Sequence, residues 1–269
     1  MKRSELAAAL AGLLIVAITS VWWFREPEMA PALPISELPQ PCRDLDFEGS
    51  GYVVCEIDVR RYEVGLFRLG PDGKPFGSLS AFDKARSVEG KAALLAMNAG
   101  MYHADLTPVG LFASRGKVEA PLNLADGAGN FFMKPNGVFF INRQGQAAVM
   151  ETTAFHAAKP DVAEATQSGP MLVIDGQIHP RFEENGASRF IRNGVGLRDA
   201  DTVVLAISRS KVSLGSFARL FRDALGCANA LFFDGDISAL SNGKETIVGG
   251  DFPAGPIIAV SAKNEAPGS

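Results

Sequence analysis

The sequence predicts an α+β fold: a single domain with a substantial mixed β-sheet and few helices, preceded by an N-terminal membrane-anchor helix. Three observations lead there. Short runs rich in β-branched and aromatic residues, bounded by turn residues, recur through the chain. One internal segment, Ser213 to Leu225, carries a clear apolar stripe at helical spacing. An uncharged run from Leu6 to Phe24 stands apart at the N-terminus.

That run comes first in chain order. Lys2 and Arg3 precede it, and Trp22 and Trp23 close it. At about 1.5 Å per residue, a helix of this length reaches roughly 28 Å, close to the hydrocarbon core of a bilayer. Basic residues on one side and aromatic residues on the other fit an anchor whose N-terminus stays in the cytoplasm. Residues 1–25 therefore read as a signal anchor, longer than the apolar part of a cleavable signal. Cleavage near Ala30-Pro-Ala32 is the alternative. Either way the rest of the chain lies on the periplasmic or extracytoplasmic side, held at the inner membrane or released to the periplasm. Residues 26–41 contain Pro27, Pro31, Pro34, Pro39 and Pro41 and read as an extended tether. The folded domain is expected over 42–263, with 264–269 as a disordered tail.

Inside that domain, Tyr52-Val-Val-Cys-Glu-Ile-Asp58, Val64-Gly-Leu-Phe-Arg-Leu69 and Gly137-Val-Phe-Phe-Ile-Asn142 read as strands. Gln144-Gly145 suggests a hairpin into Ala147–Glu151. Thr202–Ser208 is another strand. In the helix that follows, Leu214, Phe217, Phe221 and Leu225 share one face, with Ser213 as N-cap and Gly226 as the stop. Ala230–Phe233 then returns as a strand, making 202–233 a β-α-β unit.

With 47% apolar and 21% charged residues in 269, the chain can build a sizeable core, and a net charge of −4 without a basic block gives no footprint for nucleic acid. Cys42 and Cys55 straddle the turn Gly49-Ser50-Gly51 and are disulfide candidates in an oxidising compartment, the alternative being two unpaired thiols. Cys227 reads as a packed small hydrophobe. The cysteines and the three histidines show no zinc spacing.

The chemistry concentrates in polar residues set beside glycine at the ends of apolar runs. Ala230–Phe233 ends in Asp234-Gly235-Asp236, as when a buried strand delivers a carboxylate to the mouth of a site. Two nearby carboxylates can split their pKa values into an acid and a base, or leave room for a divalent cation. A plain Asp-Gly turn is the competing reading. No other cofactor is called for. Arg192-Asn193-Gly194 offers a guanidinium fork beside backbone amides, suited to phosphate or carboxylate; a surface arginine paired with Glu183 or Glu184 is the alternative. Asn98-Ala-Gly-Met-Tyr102, Asn130 with Lys134-Pro-Asn136-Gly, and Ser168-Gly169 supply further polar groups; the alternatives are a plain hairpin turn at Lys134–Gly137 that leaves Asn130 and Lys134 solvated, and a simple turn role for Ser168. His103 and His179 sit in loops where a structural role is the simpler account.

Taken in order, these loops resemble the phosphodiester glycosidase family. The resemblance spans roughly residues 50–262 and rests on Asn98–Tyr102, Asn130–Phe139, Gln167–Leu172, Arg192–Gly196 and Phe233–Ser238. It is nearest to a bacterial, membrane-anchored or periplasmic branch linked by name to exopolysaccharide. It implies hydrolysis of a sugar-1-phosphodiester to free sugar and a phosphomonoester. It further implies that Arg192, with Lys134, holds the phosphodiester and that Asp234 acts at the anomeric carbon. Asn98, Asn136 and Ser168 would bind sugar hydroxyls, with Tyr102, Asn130, Gly169, Asn193, Gly194, Gly235 and Ser238 completing the substrate site and Asp236, His103 and His179 as further candidates. The chain departs from the family's animal branch after Asp234, where Asp236-Ile237 replaces a Gly-rich, Ser-ending run, and it lacks that branch's additional regions. Two other functions fit the same residues: a non-catalytic envelope module that binds glycan, and a phosphodiesterase that cuts the other P–O bond.

Overall fold

A computed structural model describes residues 38–250 and 252–263. The anchor helix, most of the tether and the tail lie outside the described residues. Among the described residues, no helix is long and apolar enough to cross a membrane.

Strands β1 (Cys42–Phe47), β2 (Ser50–Asp58) and β3 (Tyr62–Phe67) precede helix α1 (Leu79–Val88). Then come β4 (Leu95–Asn98), β5 (Phe112–Ser114), β6 (Lys117–Ala120), a 3-10 turn at Asn130–Phe132, β7 (Gly137–Asn142) and β8 (Ala147–Glu151). Helix α2 (Thr152–Ala158) leads to β9 (Val162–Ser168), β10 (Met171–Ile174), β11 (Gln177–Ile178), β12 (Asn193–Leu197) and β13 (Thr202–Ser208). Helix α3 (Leu214–Arg219), extended by a π turn (Leu220–Ala224), precedes β14 (Asn229–Asp234), β15 (Leu240–Ser241), β16 (Thr246–Val248) and β17 (Ile257–Ala262).

The fold is β-rich with few helices. Its strands form three sheets, ordered β1-β2-β13-β12-β14-β10-β11, β16-β15-β4-β17-β3 and β6-β5-β9-β7-β8. Where one mixed sheet was expected, the strand pairs between neighbours run antiparallel. The β-α-β unit explains the discrepancy. β13 and β14 are parallel to each other, as a crossover through α3 dictates, but β12 lies between them and pairs antiparallel with both.

Side-chain alternation organises the packing. Leu231 and Phe233 of β14 and Val203, Leu205 and Ile207 of β13 point into a core that also takes Leu95 and Met97 from the second sheet and Phe139 and Ile141 from the third. Their neighbours Ala230, Phe232, Val204 and Ala206 face the other way, under Phe217, Phe221 and Leu225. The apolar run before Asp234 is thus a strand buried on both faces. Ser213 caps α3 through its Oγ, which accepts from Ser216 N at 3.1 Å.

Asn193-Gly-Val-Gly196 lies in the buried central strand β12, with Arg192 just before it, rather than in an amide-presenting loop. Its glycines make room for the crossover: a Cβ at Gly194 would lie 2.7 Å from Leu231 O, and one at Gly196 would lie 2.7 Å from both Cys227 Sγ and Phe221. Cys227 is free and buried in this contact, which pushes its thiol up to about 12.

Cys42 and Cys55 are directly opposed across β1 and β2 and form a disulfide. Replacing both by serine is expected to lower unfolding free energy by about 3 kcal/mol, mainly by releasing the unfolded chain. Urea denaturation of the two proteins measures this directly.

Candidate functional site

Each sheet contributes a strand end to one polar cluster. Asn98 closes β4, Ser168 closes β9, Asn193 opens β12 and Asp234 ends β14, opposite Asn193 in the ladder. A buried amide pair ties the first two sheets together. Asn193 Nδ2 donates to Asn98 O at 2.7 Å and to Asn98 Oδ1 at 3.1 Å, and Asn98 Oδ1 accepts from Ala239 N at 2.9 Å. On its other side Asn193 Oδ1 accepts from Asp234 N and Ser238 Oγ, both at 3.1 Å. The third sheet joins through Ser168, whose Oγ donates to Phe233 O at 3.1 Å. Asn98, Asn193, Ser168 and Ser238 are all at most 3% exposed. Asn193 and Ser238 bond the Asp234 backbone directly, while Ser168 bonds Phe233 O and Asn98 bonds Asn193 and Ala239 N beside it. Asn193→Ala takes the side-chain partner from Asp234 N and Asn98 O, while Ser238 Oγ keeps Asp234 O; a loss of roughly 2–4 kcal/mol in stability is expected, readable in a urea melt.

Asp234 is half-buried, while Asp236 is exposed. Asp234 Oδ1 accepts from Gly235 N at 2.6 Å and Asp236 N at 2.9 Å, so the Asp-Gly turn exists as well as the delivered carboxylate. Burial nevertheless raises the carboxyl above its ordinary value; the loop amides oppose this, and the Asp236 charge adds to the rise.

Arg192 is fully buried and pairs with neither Glu183 nor Glu184. Its Nε donates to Val212 O at 2.8 Å and its Nη2 to Ser188 O at 2.9 Å. Ser208 Oγ accepts from the Arg192 backbone amide at 3.0 Å. The guanidinium lies 5.4 Å from the Phe190 ring and 5.2 Å from the Phe232 ring. Nη1 has no partner and points toward the Asp234 loop, since a Cβ on Gly235 would sit 3.1 Å from it. Space beside the arginine is therefore tight at Gly235, whose φ is not in the left-handed region. Burial lowers the guanidinium to about 10, still charged at neutral pH, while the Asp234 charge supports it. No ion pair joins the two groups. A donor without a partner thus lies beside the loop that carries the carboxylate.

Tyr102 borders the same loop. Its hydroxyl donates to Pro253 O, its ring packs on Gly255, and burial with the Asp234 charge keeps the phenol neutral. A Cβ at Gly169 would lie 2.6 Å from Asn136 Cβ, so that glycine permits the close approach of the Asn130–Asn136 turn. Within that turn Asn136 Nδ2 donates to Phe131 O at 2.8 Å while its buried Oδ1 has no partner, and Asn130 O accepts from Met133 N. Lys134 is drawn elsewhere: its ammonium meets Asp126 at 2.6 Å and Leu124 O at 3.2 Å, with no contact to Arg192 or Asp234. The turn leads into β7 and is not a hairpin. His179 is buried, stacks on Phe182 and accepts from Arg181 N, and burial keeps it below its usual pKa. His103 is exposed in a turn closed by its amide on Thr107 O.

Sequence reasoning missed the cradle of Arg192: Phe190, Phe232, Ser188, Ser208 and the Val212 carbonyl. The aromatic two residues before the arginine was the available signal. The backbone acceptor had none, because it comes from the turn before α3.

A three-sheet β scaffold sets a buried arginine with one unpartnered nitrogen beside the loop of a half-buried aspartate. The chain belongs to the phosphodiester glycosidase family, whose profile matches residues 91–242. It is 34% identical over 207 residues to YigE, an uncharacterized protein of Escherichia coli (strain K12), covering 77% of this chain and 80% of that one. Its fold is similar to the catalytic domain of zebrafish N-acetylglucosamine-1-phosphodiester alpha-N-acetylglucosaminidase, auto-inhibited by its pro-peptide, with a TM-score of 0.58, 13% identity and 82% of both chains covered. A putative exported protein from Burkholderia pseudomallei K96243 is similar at a TM-score of 0.51 and 12% identity, over 84% of this chain and 75% of that one.

Proposed function

We propose that the chain hydrolyses sugar-1-phosphodiesters, releasing free sugar and a phosphomonoester, on the extracytoplasmic side of the membrane in envelope or exopolysaccharide metabolism. The unpaired Arg192 Nη1, fully buried and facing the Asp234 loop, carries this reading. As the bond between the anomeric carbon and the phosphate oxygen breaks, its electron pair leaves on the phosphate. The growing negative charge meets a guanidinium that is already fixed by Val212 O, Ser188 O and two aromatic rings, so little reorganisation is needed. The sugar is left electron-poor at its anomeric carbon, where the Asp234 carboxylate stabilises positive charge or accepts the proton of the attacking water. A phosphate leaving group needs little protonation, so one well-placed carboxylate suffices.

The rival, a glycan-binding module without turnover, draws on one observation: Asp234 Oδ1 already satisfies two amides of its own loop. Incubating the purified full-length protein with a panel of sugar-1-phosphodiesters separates the readings. Free sugar and phosphomonoester are expected. Sugar phosphate would move the cleavage to the other P–O bond, and binding without products would favour the module. The disulfide supports the extracytoplasmic placement, and membrane attachment through residues 1–25 belongs to the same proposal.

A further inference from the structure

None of the residues around Asp234 lines a second concavity of about 470 Å³. It lies against the second sheet at the end of α1. The helix packs Leu79 and Phe82 over Ala96, Ile257 and Ala259. Past the helix, the turn at Gly90–Lys91 and the strand residues Gly65, Leu94 and Ser261 line the cavity instead.

Three cations converge on its wall: Arg86, Lys91 and Arg115. The Arg86 guanidinium lies 5.0 Å from the Phe67 ring centre and that of Arg115 lies 5.7 Å from the same centre. One aromatic ring thus orients two guanidinium groups whose charges repel each other. Their nearby carboxylates do not neutralise them fully. Glu89 takes one Arg86 nitrogen at 3.1 Å, but Arg86 Nε stays buried without a partner in a side chain only 9% exposed as a residue. Glu164 is engaged by backbone, accepting from Leu66 N at 2.9 Å and Arg115 N at 2.8 Å, and burial favours its neutral form. Glu63 is exposed at the rim. Among the described residues neither Lys91 nor Arg115 forms an ion pair. The same Phe67, Arg86, Lys91 and Arg115 also line a depression of about 350 Å³ that runs out over Leu69 and Pro71.

We propose that this two-lobed groove is a second binding site, for an anionic saccharide whose phosphate or carboxylate lies across Arg86, Lys91 and Arg115. The forked donors suit a planar or tetrahedral oxyanion. The cavity volume admits one or two sugar rings, and the Ser261 hydroxyl and Glu63 carboxylate offer partners for ring hydroxyls. The inference does not rest on the hydrolase reading, because none of its residues belongs to the Asp234 cluster.

Titration calorimetry on the purified full-length protein tests it with glucose 6-phosphate, a galacturonate hexamer and a neutral hexasaccharide. The variant is Lys91→Ala with Arg115→Asn, both at exposed positions; asparagine accepts the left-handed backbone of Arg115 (φ 51). At least one charged probe is expected to bind, the neutral hexamer at least about tenfold more weakly, with a further loss of about tenfold or more in the double variant. Asp234→Asn should bind as the wild type does. The tighter of the two charged probes identifies the acid. The proposal is overturned if neither charged probe binds, if the neutral hexamer binds equally, or if the double variant keeps full affinity. Loss of binding in Asp234→Asn would also overturn it, by placing the saccharide at the other site.

Discussion

Asp234→Asn is expected to lower turnover of a sugar-1-phosphodiester by about 10³-fold or more, equivalent to about 4 kcal/mol of transition-state stabilisation. The change is small in shape. An asparagine oxygen can still accept from Gly235 N and Asp236 N, and the backbone amide of residue 234 keeps its bond to Asn193 Oδ1. What disappears is the negative charge near the anomeric carbon. Stability should not fall with activity. Burial raises the folded-state pKa of Asp234, so the fold favours the protonated form. The wild type therefore loses stability as pH rises from the ordinary carboxylate value through the raised one. Asparagine carries no such penalty, so the variant should melt at the same or a higher temperature. The same shift predicts the activity profile. Turnover should rise with pH through a pKa above the usual aspartate range, and Asp236→Asn should move that limb downward because the Asp236 charge helps to raise it. Product assays and thermal melts across pH check both. An active Asp234→Asn protein would end the assignment and leave the carboxylate as the cap of its own turn.

Much of this arrangement was legible because it rests on local patterns. A run apolar at every position, Ala230–Phe233, signals a strand buried on both faces, and the polar residues after it must lie at its end. The stripe of α3 and its Ser213 cap follow from spacing alone. What pattern could not show was pairing. Nothing local to Asn193-Gly-Val-Gly196 reveals that it inserts between β13 and β14, because its glycines answer to Leu231 O, Cys227 and Phe221, which are distant in sequence. For the same reason the amides of Asn98 and Asn193 looked free for ligand, whereas each is the other's partner across two sheets. Lys134 looked like a companion of Arg192 until the loop carrying Asp126 folded over it.

Arg192 bears the second large effect. Arg192→Lys should reduce kcat by about 10²–10³-fold, the scale seen when one preorganised donor to a developing oxyanion is removed. A lysine keeps the charge but not the fork, and one ammonium cannot serve Val212 O, Ser188 O and the leaving phosphate from a single point. Arg192→Met separates the electrostatic role from the packing role. The thioether fills the slot between Phe190 and Phe232; Val212 O keeps its bond from Phe190 N, while Ser188 O loses its guanidinium donor, a penalty of about 1–3 kcal/mol offset in part by relief of the burial that lowers the guanidinium to about 10. A folded but inactive methionine variant is therefore expected. The kinetic signature distinguishes transition-state stabilisation from substrate holding. If Nη1 meets charge that grows only as the bond breaks, kcat should fall more than KM rises; if it binds the diester equally in both states, KM should carry the loss. Steady-state kinetics on Arg192→Lys and Arg192→Met with one charged diester decide the matter. Wild-type kinetics in both would reduce Arg192 to a brace between β12 and the turn before α3.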